Sequence, residues 1–115
     1  MRRGEVYWAE LGPRSGAEQS GRRPVIIVSH DGFNEVPTWL SVIVVPVSTS
    51  ETPARRGPTA VLLATGAGGL RVPSVALCHQ MTTLDRAKLS ERLGVLPPAT
   101  LIELQDGLRA ALDLD

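Results

Sequence analysis

The apolar runs of this chain are short and rich in β-branched residues. Pro24-Val25-Ile26-Ile27-Val28-Ser29, Leu40-Ser41-Val42-Ile43-Val44-Val45-Pro46-Val47-Ser48, Ala60-Val61-Leu62-Leu63 and Val75-Ala76-Leu77-Cys78-His79-Gln80-Met81 are each bounded by Gly, Pro or polar stretches. Runs of this length and content predict strands, and a continuously apolar one predicts a buried strand. Gly4-Glu5-Val6-Tyr7-Trp8-Ala9-Glu10-Leu11 predicts a further strand at the start. Proline has no N–H to give a ladder. Pro24 is therefore expected to open its strand, and Pro46 to stand near a strand end or at a bulge.

Between these runs, Gly12 to Arg22, His30 to Trp39 and Glu51 to Gly57 read as loops. Long loops in compact folds tend to be functional or disordered. The cluster Thr65-Gly66-Ala67-Gly68-Gly69 reads as a turn, because no Gly-Lys-Ser/Thr follows it and no helix opens after it. The last segment changes period. Leu101, Leu104, Leu108, Ala111 and Leu112 fall on one helical face. Pro97-Pro98 precedes that face, and Thr100-x-x-Glu103 is expected to form a capping box. The 115 residues suit one domain, residues 1–115, mainly β with helices: a small barrel plus a C-terminal amphipathic helix.

No apolar run is long enough for a membrane helix, and no signal-peptide core follows Arg2-Arg3, so a cytoplasmic protein is expected. Cys78 is alone, which excludes an internal disulfide and a thiolate zinc site within the chain. Its apolar neighbours make it a small buried hydrophobe. The net charge is zero, with 12 basic and 12 acidic side chains. Eleven of the 12 basic residues are Arg, the residue suited to forked phosphate contacts, and several come in pairs within expected loops. Charge alone reads no further than solvated loops.

His30 and His79 show no metal-ligand spacing, and the chain has neither a Gly-x-Ser-x-Gly elbow nor a dinucleotide fingerprint. Neither a metal nor a cofactor is expected. An enzyme built here must work with Arg, Ser/Thr, Glu and His. That set suits a phosphodiester, where positioning and charge stabilisation dominate and a 2′-hydroxyl supplies the nucleophile. Arg23 stands at a loop–strand junction before Pro24, which restricts its backbone to extended conformations. From residue types alone, Arg23 is equally a catalytic group or an arginine paired with Glu18.

The block Gly16-x-Glu18-Gln19-x-Gly21-x-Arg23-Pro24-Val25, following Gly4-Glu5-Val6-Tyr7-Trp8, resembles the signature of the MazF/PemK/Kid toxin family. Val44-Val45-Pro46-Val47-Ser48 resembles that family's central strand ending in a catalytic hydroxyl. The segment from Val75 to Leu84 and the C-terminal helix are also similar. The resemblance implies a small SH3-like antiparallel β-barrel with a C-terminal helix. It implies a homodimeric toxin that cleaves single-stranded RNA without metal, leaving 2′,3′-cyclic phosphate and 5′-hydroxyl ends, and a cognate antitoxin protein as partner. It places catalysis at Arg23, Ser48, Glu18 and His79, and RNA contacts at Gln19, Arg22, Thr49, Arg55, Arg56 and Gln80. Trp39, in a loop, is expected to stack on a base.

Three positions depart from the family pattern. Ser48 stands where many relatives have Thr, with Thr49 in reserve. His79 stands where an acidic residue is usual, and Ala17 and Leu77 replace a His and an Arg of the PemK/Kid branch. Arginine stays protonated in proteins, so Arg23 is expected to stabilise charge on the scissile phosphate rather than act as base. Glu18 and His79 remain as base candidates. Two other readings are a non-enzymatic toxin of the same fold that binds a protein target such as gyrase, and a weakened RNA-binding module.

Overall fold

A computed structural model of the chain describes residues 1–16, 18–49 and 57–115. Ala17, Arg55, Arg56 and most of the expected loop Glu51 to Gly57 lie outside the described residues. The strands are β1 (Glu5–Glu10), β2 (Arg22–Ile27), β3 (Ser41–Ser48), β4 (Ala60–Leu63), β5 (Ser74–Leu77), β6 (Thr82–Asp85) and β7 (Leu89–Val95). The helices are a single turn, α1 (Asp31–Asn34), and the C-terminal α2 (Pro98–Leu112).

Every ladder is antiparallel, and the order is β4-β5-β3-β2-β1-β7 with β6 also paired to β3. β3 organises the sheet. One edge runs along β2, while the other pairs first with β6, over Ser41 to Val44, and then with β5, at Val47 and Ser48. Pro46 falls in the gap between those two ladders, where no donor is demanded of it. Pro24 does not open β2. It is the third residue of the strand and sits opposite Trp8. The β3 ladder begins one residue later, at Val25↔Pro46, so the missing N–H faces no ladder there.

Alternate residues of the two central strands feed two cores. Val25, Ile27, Val42 and Val44 pack with Ala9, Leu11 and Leu84. Ile26, Val45 and Val47 turn the other way and pack with Val6, Val61, Leu63, Ala76, Cys78 and Leu104. Burial on both faces is why these strands read as unbroken apolar runs. Each buried Val or Ile contributes roughly 1.5–3 kcal/mol.

The sheet is bent rather than closed. Register shifts in the β1–β7 ladder, after Val6 and after Tyr7, curve that edge. Among the described residues, however, no ladder joins β7 to β4 or to β6. The expected antiparallel β fold with a C-terminal helix is therefore present, as an open, barrel-like sheet.

Three local expectations change. β5 ends at Leu77, and Cys78–Gln80 form a 3-10 turn rather than a continuing strand. The loop after β2 holds α1, capped by the His30 side chain accepting from the Gly32 N–H. α2 starts at Pro98 after Pro97, without a side-chain cap, so Thr100 lies inside the helix and forms no capping box. Leu104 is fully buried, and Leu101, Leu108 and Ala111 pack partly against the core, whereas Leu112 is exposed. Gly107 lets α2 settle on the Cys78 turn: a Cβ there would lie 2.8 Å from both Cys78 Sγ and Val61 Cγ2. No described helix is long and apolar enough to cross a membrane.

Candidate active site

The loop before β2 is closed at its base by Gly12 and Gly21, both at positive φ, through the Leu11 N–H to Gly21 carbonyl and Gly21 N–H to Gly12 carbonyl bonds. It delivers Arg22 and Arg23 to the first two positions of β2. Arg23 is half-buried, and its Nε donates to the Ser20 carbonyl at 3.1 Å. Among the described residues no carboxylate pairs with it, so the Glu18 ion pair that the sequence left open is not made. With Nε engaged, the terminal nitrogens of the guanidinium remain available as a fork. Arg22 lies over the Trp8 ring, 4.2 Å from its centroid.

Arg22, Arg23 and Arg71 line one cavity of about 450 Å³, with Trp8 and Thr49 beside them and Glu91 as the one acid of its lining among the described residues. Arg71 is exposed and unpaired among the described residues. The β2–β3 ladder ends at Val25↔Pro46, two residues short of both Arg23 and Ser48, so the two are not paired in it. Ser48 is buried, at 8% exposure, and does not line the arginine cavity, whereas the exposed Thr49 does, with the buried Ser74, whose hydroxyl donates to the Val72 carbonyl.

Glu18, His79 and Gln80 line a second cavity, of about 510 Å³, together with Arg14 and Ser15. Glu18 and His79 are both exposed. The two groups are linked through the main chain, since the Gln19 N–H donates to Gln80 Oε1 at 2.8 Å. Among the described residues no three His, Cys, Asp or Glu side chains cluster as metal ligands. Trp39 joins neither cavity. It stacks on Phe33 at 4.8 Å, at the opposite end of β3 from Ser48. An eight-residue strand separates the two ends by about 23 Å.

A model of the PemK-like, MazF-like toxins of type II toxin–antitoxin systems matches residues 2–112. The chain belongs to the PemK/MazF family. Endoribonuclease MazF2 of Mycobacterium bovis is 36% identical over 112 residues, which cover 97% of this chain and 96% of that protein. The crystal structure of MazF from Deinococcus radiodurans superposes with a TM-score of 0.80 at 28% identity, covering 99% of this chain and 97% of that one. An endoribonuclease from a mycobacterial species, solved in complex with its cognate antitoxin, gives 0.77 at 27% identity over 100% of this chain and 95% of that one.

Within this PemK/MazF member, sequence reasoning missed Arg71, Arg14 and Ser15. Arg71 follows a glycine cluster that reads only as a turn, and no local pattern announces that it shares a cavity with Arg22 and Arg23. Arg14 and Ser15 belong to the loop already suspected of function, without a spacing that singles them out. Leu77, where the PemK/Kid branch has an Arg, is fully buried in the core and offers no polar group to the site.

Proposed function

We propose that the whole chain is one toxin domain of a type II toxin–antitoxin system. It is a metal-independent, sequence-specific endoribonuclease that cleaves single-stranded RNA to 2′,3′-cyclic phosphate and 5′-hydroxyl ends. It works in the cytoplasm as a homodimer and is silenced by a cognate antitoxin protein. The observation that carries this reading is Arg23, whose guanidinium is oriented by the Ser20 carbonyl, is free of carboxylates among the described residues, and shares its cavity with Arg22 and Arg71. Three arginines around one pocket suit a phosphodiester in a chain whose net charge is zero.

In this mechanism a ribose 2′-oxygen attacks the adjacent phosphorus, the new O–P bond closes the cyclic phosphate, and the bond to the 5′-oxygen breaks. The 2′-hydroxyl proton goes to Glu18 or His79, and the leaving 5′-oxygen takes a proton from solvent water. Arg23 stabilises the charge that builds on the phosphoryl oxygens. Ser48, at the end of β3, and Thr49, on the cavity wall, supply hydroxyls to orient the phosphate. Gln19, Arg22 and Gln80 hold the flanking nucleotides, and Arg55 and Arg56 are assigned to RNA by resemblance alone. Trp39 is assigned to a base distant from the scissile bond.

Exposed Leu62 and Val72 line a cavity of about 910 Å³ between β4 and α2, a surface that a second copy would cover. The curated relative is named an endoribonuclease, which favours cleavage over the protein-target and binding-only readings.

The test is digestion of a long mixed-sequence RNA by purified protein in excess EDTA, beside Arg23→Ala, with the ends mapped. Discrete cuts with cyclic phosphate ends are expected, falling at least about a hundredfold in the variant, the usual loss when one charge-stabilising group is removed. Full cleavage by folded Arg23→Ala would remove Arg23 from the mechanism.

A further inference from the structure

The two cavities of the site are joined by one side chain. Gln80 is the last residue of the Cys78–Gln80 turn, and that turn is anchored on three sides. The Cys78 N–H donates to the Thr59 carbonyl at 3.0 Å, Cys78 Sγ approaches the Leu104 carbonyl at 3.8 Å, and the turn packs beneath α2 where Gly107 has no Cβ. From this fixed point Gln80 Oε1 accepts the Gln19 N–H at 2.8 Å. The next residue is Ser20, whose carbonyl accepts from Arg23 Nε at 3.1 Å.

Among the described residues, the other hydrogen bonds of the Gly12–Gly21 loop close its base or run within it and to the ends of β1. Among the described residues, no other hydrogen bond runs from the loop to an element beyond β1 and β2.

We infer that Gln80 is a positioning residue for Arg23: by holding the Gln19 main chain it fixes the Ser20 carbonyl, which in turn aims the Arg23 guanidinium. This rests on the reading of Arg23 as the charge-stabilising group of an endoribonuclease, and it adds a role for Gln80 other than contact with RNA. The relay has a chemical requirement. The atom that acts is an acceptor, so a carboxylate serves in place of the amide oxygen, whereas a thioether of similar size does not.

The experiment compares wild type with Gln80→Met and Gln80→Glu. Two readouts are taken: single-turnover cleavage of a short RNA across RNA concentrations, and the water-exchange rate of the Arg23 Nε–H by ¹⁵N NMR in RNA-free protein. Gln80→Met is expected to lower the maximal rate about tenfold or more, because misplacing a catalytic group by about 1 Å costs on the order of a hundredfold. Any rise in its half-saturating RNA concentration belongs to the RNA contact of Gln80, and the fall in maximal rate at saturating RNA is the part that reports positioning. Its Arg23 Nε–H is expected to exchange faster than in wild type. Gln80→Glu is expected to keep the slow exchange and most of the maximal rate.

An unchanged maximal rate in Gln80→Met, or a loss confined to half-saturation, would overturn the inference and make Gln80 a plain RNA contact. Unchanged Nε–H exchange would overturn it as well. If wild type cleaves no RNA, the endoribonuclease reading fails first, and the exchange measurement still decides whether Gln80 orients Arg23.

Discussion

Glu5 shows how a single residue ties the amino terminus to the far edge of the sheet. Burial pushes its carboxyl up. The hydrogen bonds from Arg92 and from the Arg2 main-chain N–H, with the charges of Arg92 and the chain terminus, outweigh that push and hold it below its ordinary value of 4.5. A carboxyl depressed in the folded state contributes stability that is present above its unfolded value and lost as pH falls through the folded one. Urea denaturation is therefore expected to give a stability that declines as pH is stepped below 4.5, with a shallower decline in Arg92→Gln. Equal slopes in the two proteins would detach the effect from this pair. At this scale the sequence was informative about conformation and poor about partners. The extended backbone of Arg23 follows from Pro24 alone. Its freedom from Glu18 and its bond to the Ser20 carbonyl depend on how a ten-residue loop folds back, which residue order does not encode locally.

Among the elements, the glycine-rich turn between β4 and β5 is the most exacting. Its 3-10 segment Ala67–Gly69 packs against β1 and β7. A Cβ on Gly68 would lie 2.5 Å from Val6 Cγ2, and one on Gly69 would lie 2.1 Å from the Leu93 carbonyl oxygen, with both residues at positive φ. A left-handed backbone alone costs an L-residue about 1–2 kcal/mol. Overpacking against backbone adds about 1–3 kcal/mol. Gly69→Ala is thus expected to lose at least about 2 kcal/mol in chemical denaturation, where Gly66→Ala, with open space around its Cβ, loses only the backbone share. Similar losses for both would show that the close approach does not matter. The buried strands were legible because both their faces are apolar. β7 was not: it is an edge strand with charged and exposed residues along most of its length, so no apolar run marks it. α1 is a single turn, too short to display a helical period. The sequence continued β5 through His79 and Gln80 because period says nothing about a chain that must turn under a helix.

For the whole molecule, neutrality hides a local field. Arg22, Arg23 and Arg71 meet at one cavity although they come from two separate stretches of a chain with no net charge. If each contacts a phosphate, RNA affinity is expected to fall with salt along a log–log slope near about −2, because single strands lose about 0.7 per phosphate contact. Arg71→Ala is expected to flatten that slope by about 0.7 while leaving the cleavage motif unchanged. A slope unaltered by Arg71→Ala, measured by fluorescence anisotropy on an RNA whose 2′-hydroxyls are methylated so that it is not cut, would place Arg71 outside the RNA path. Closure of the sheet is the feature least accessible from sequence. It depends on how registers add up around the molecule, and among the described residues they stop short of joining β7 to β4 or β6.

The Cys78 thiol is 1% exposed beneath α2, and burial pushes its pKa up to about 11. It is the one sulfhydryl in the chain. Alkylation therefore proceeds only through excursions in which the helix lifts from the turn, and the labelling rate divided by that of a free thiol reads out the population of that opened form. The protein thus carries its own stopwatch for helix undocking, with no probe added. Ligands that tighten the Cys78–Gln80 corner should slow the clock in proportion to how strongly they favour the closed form.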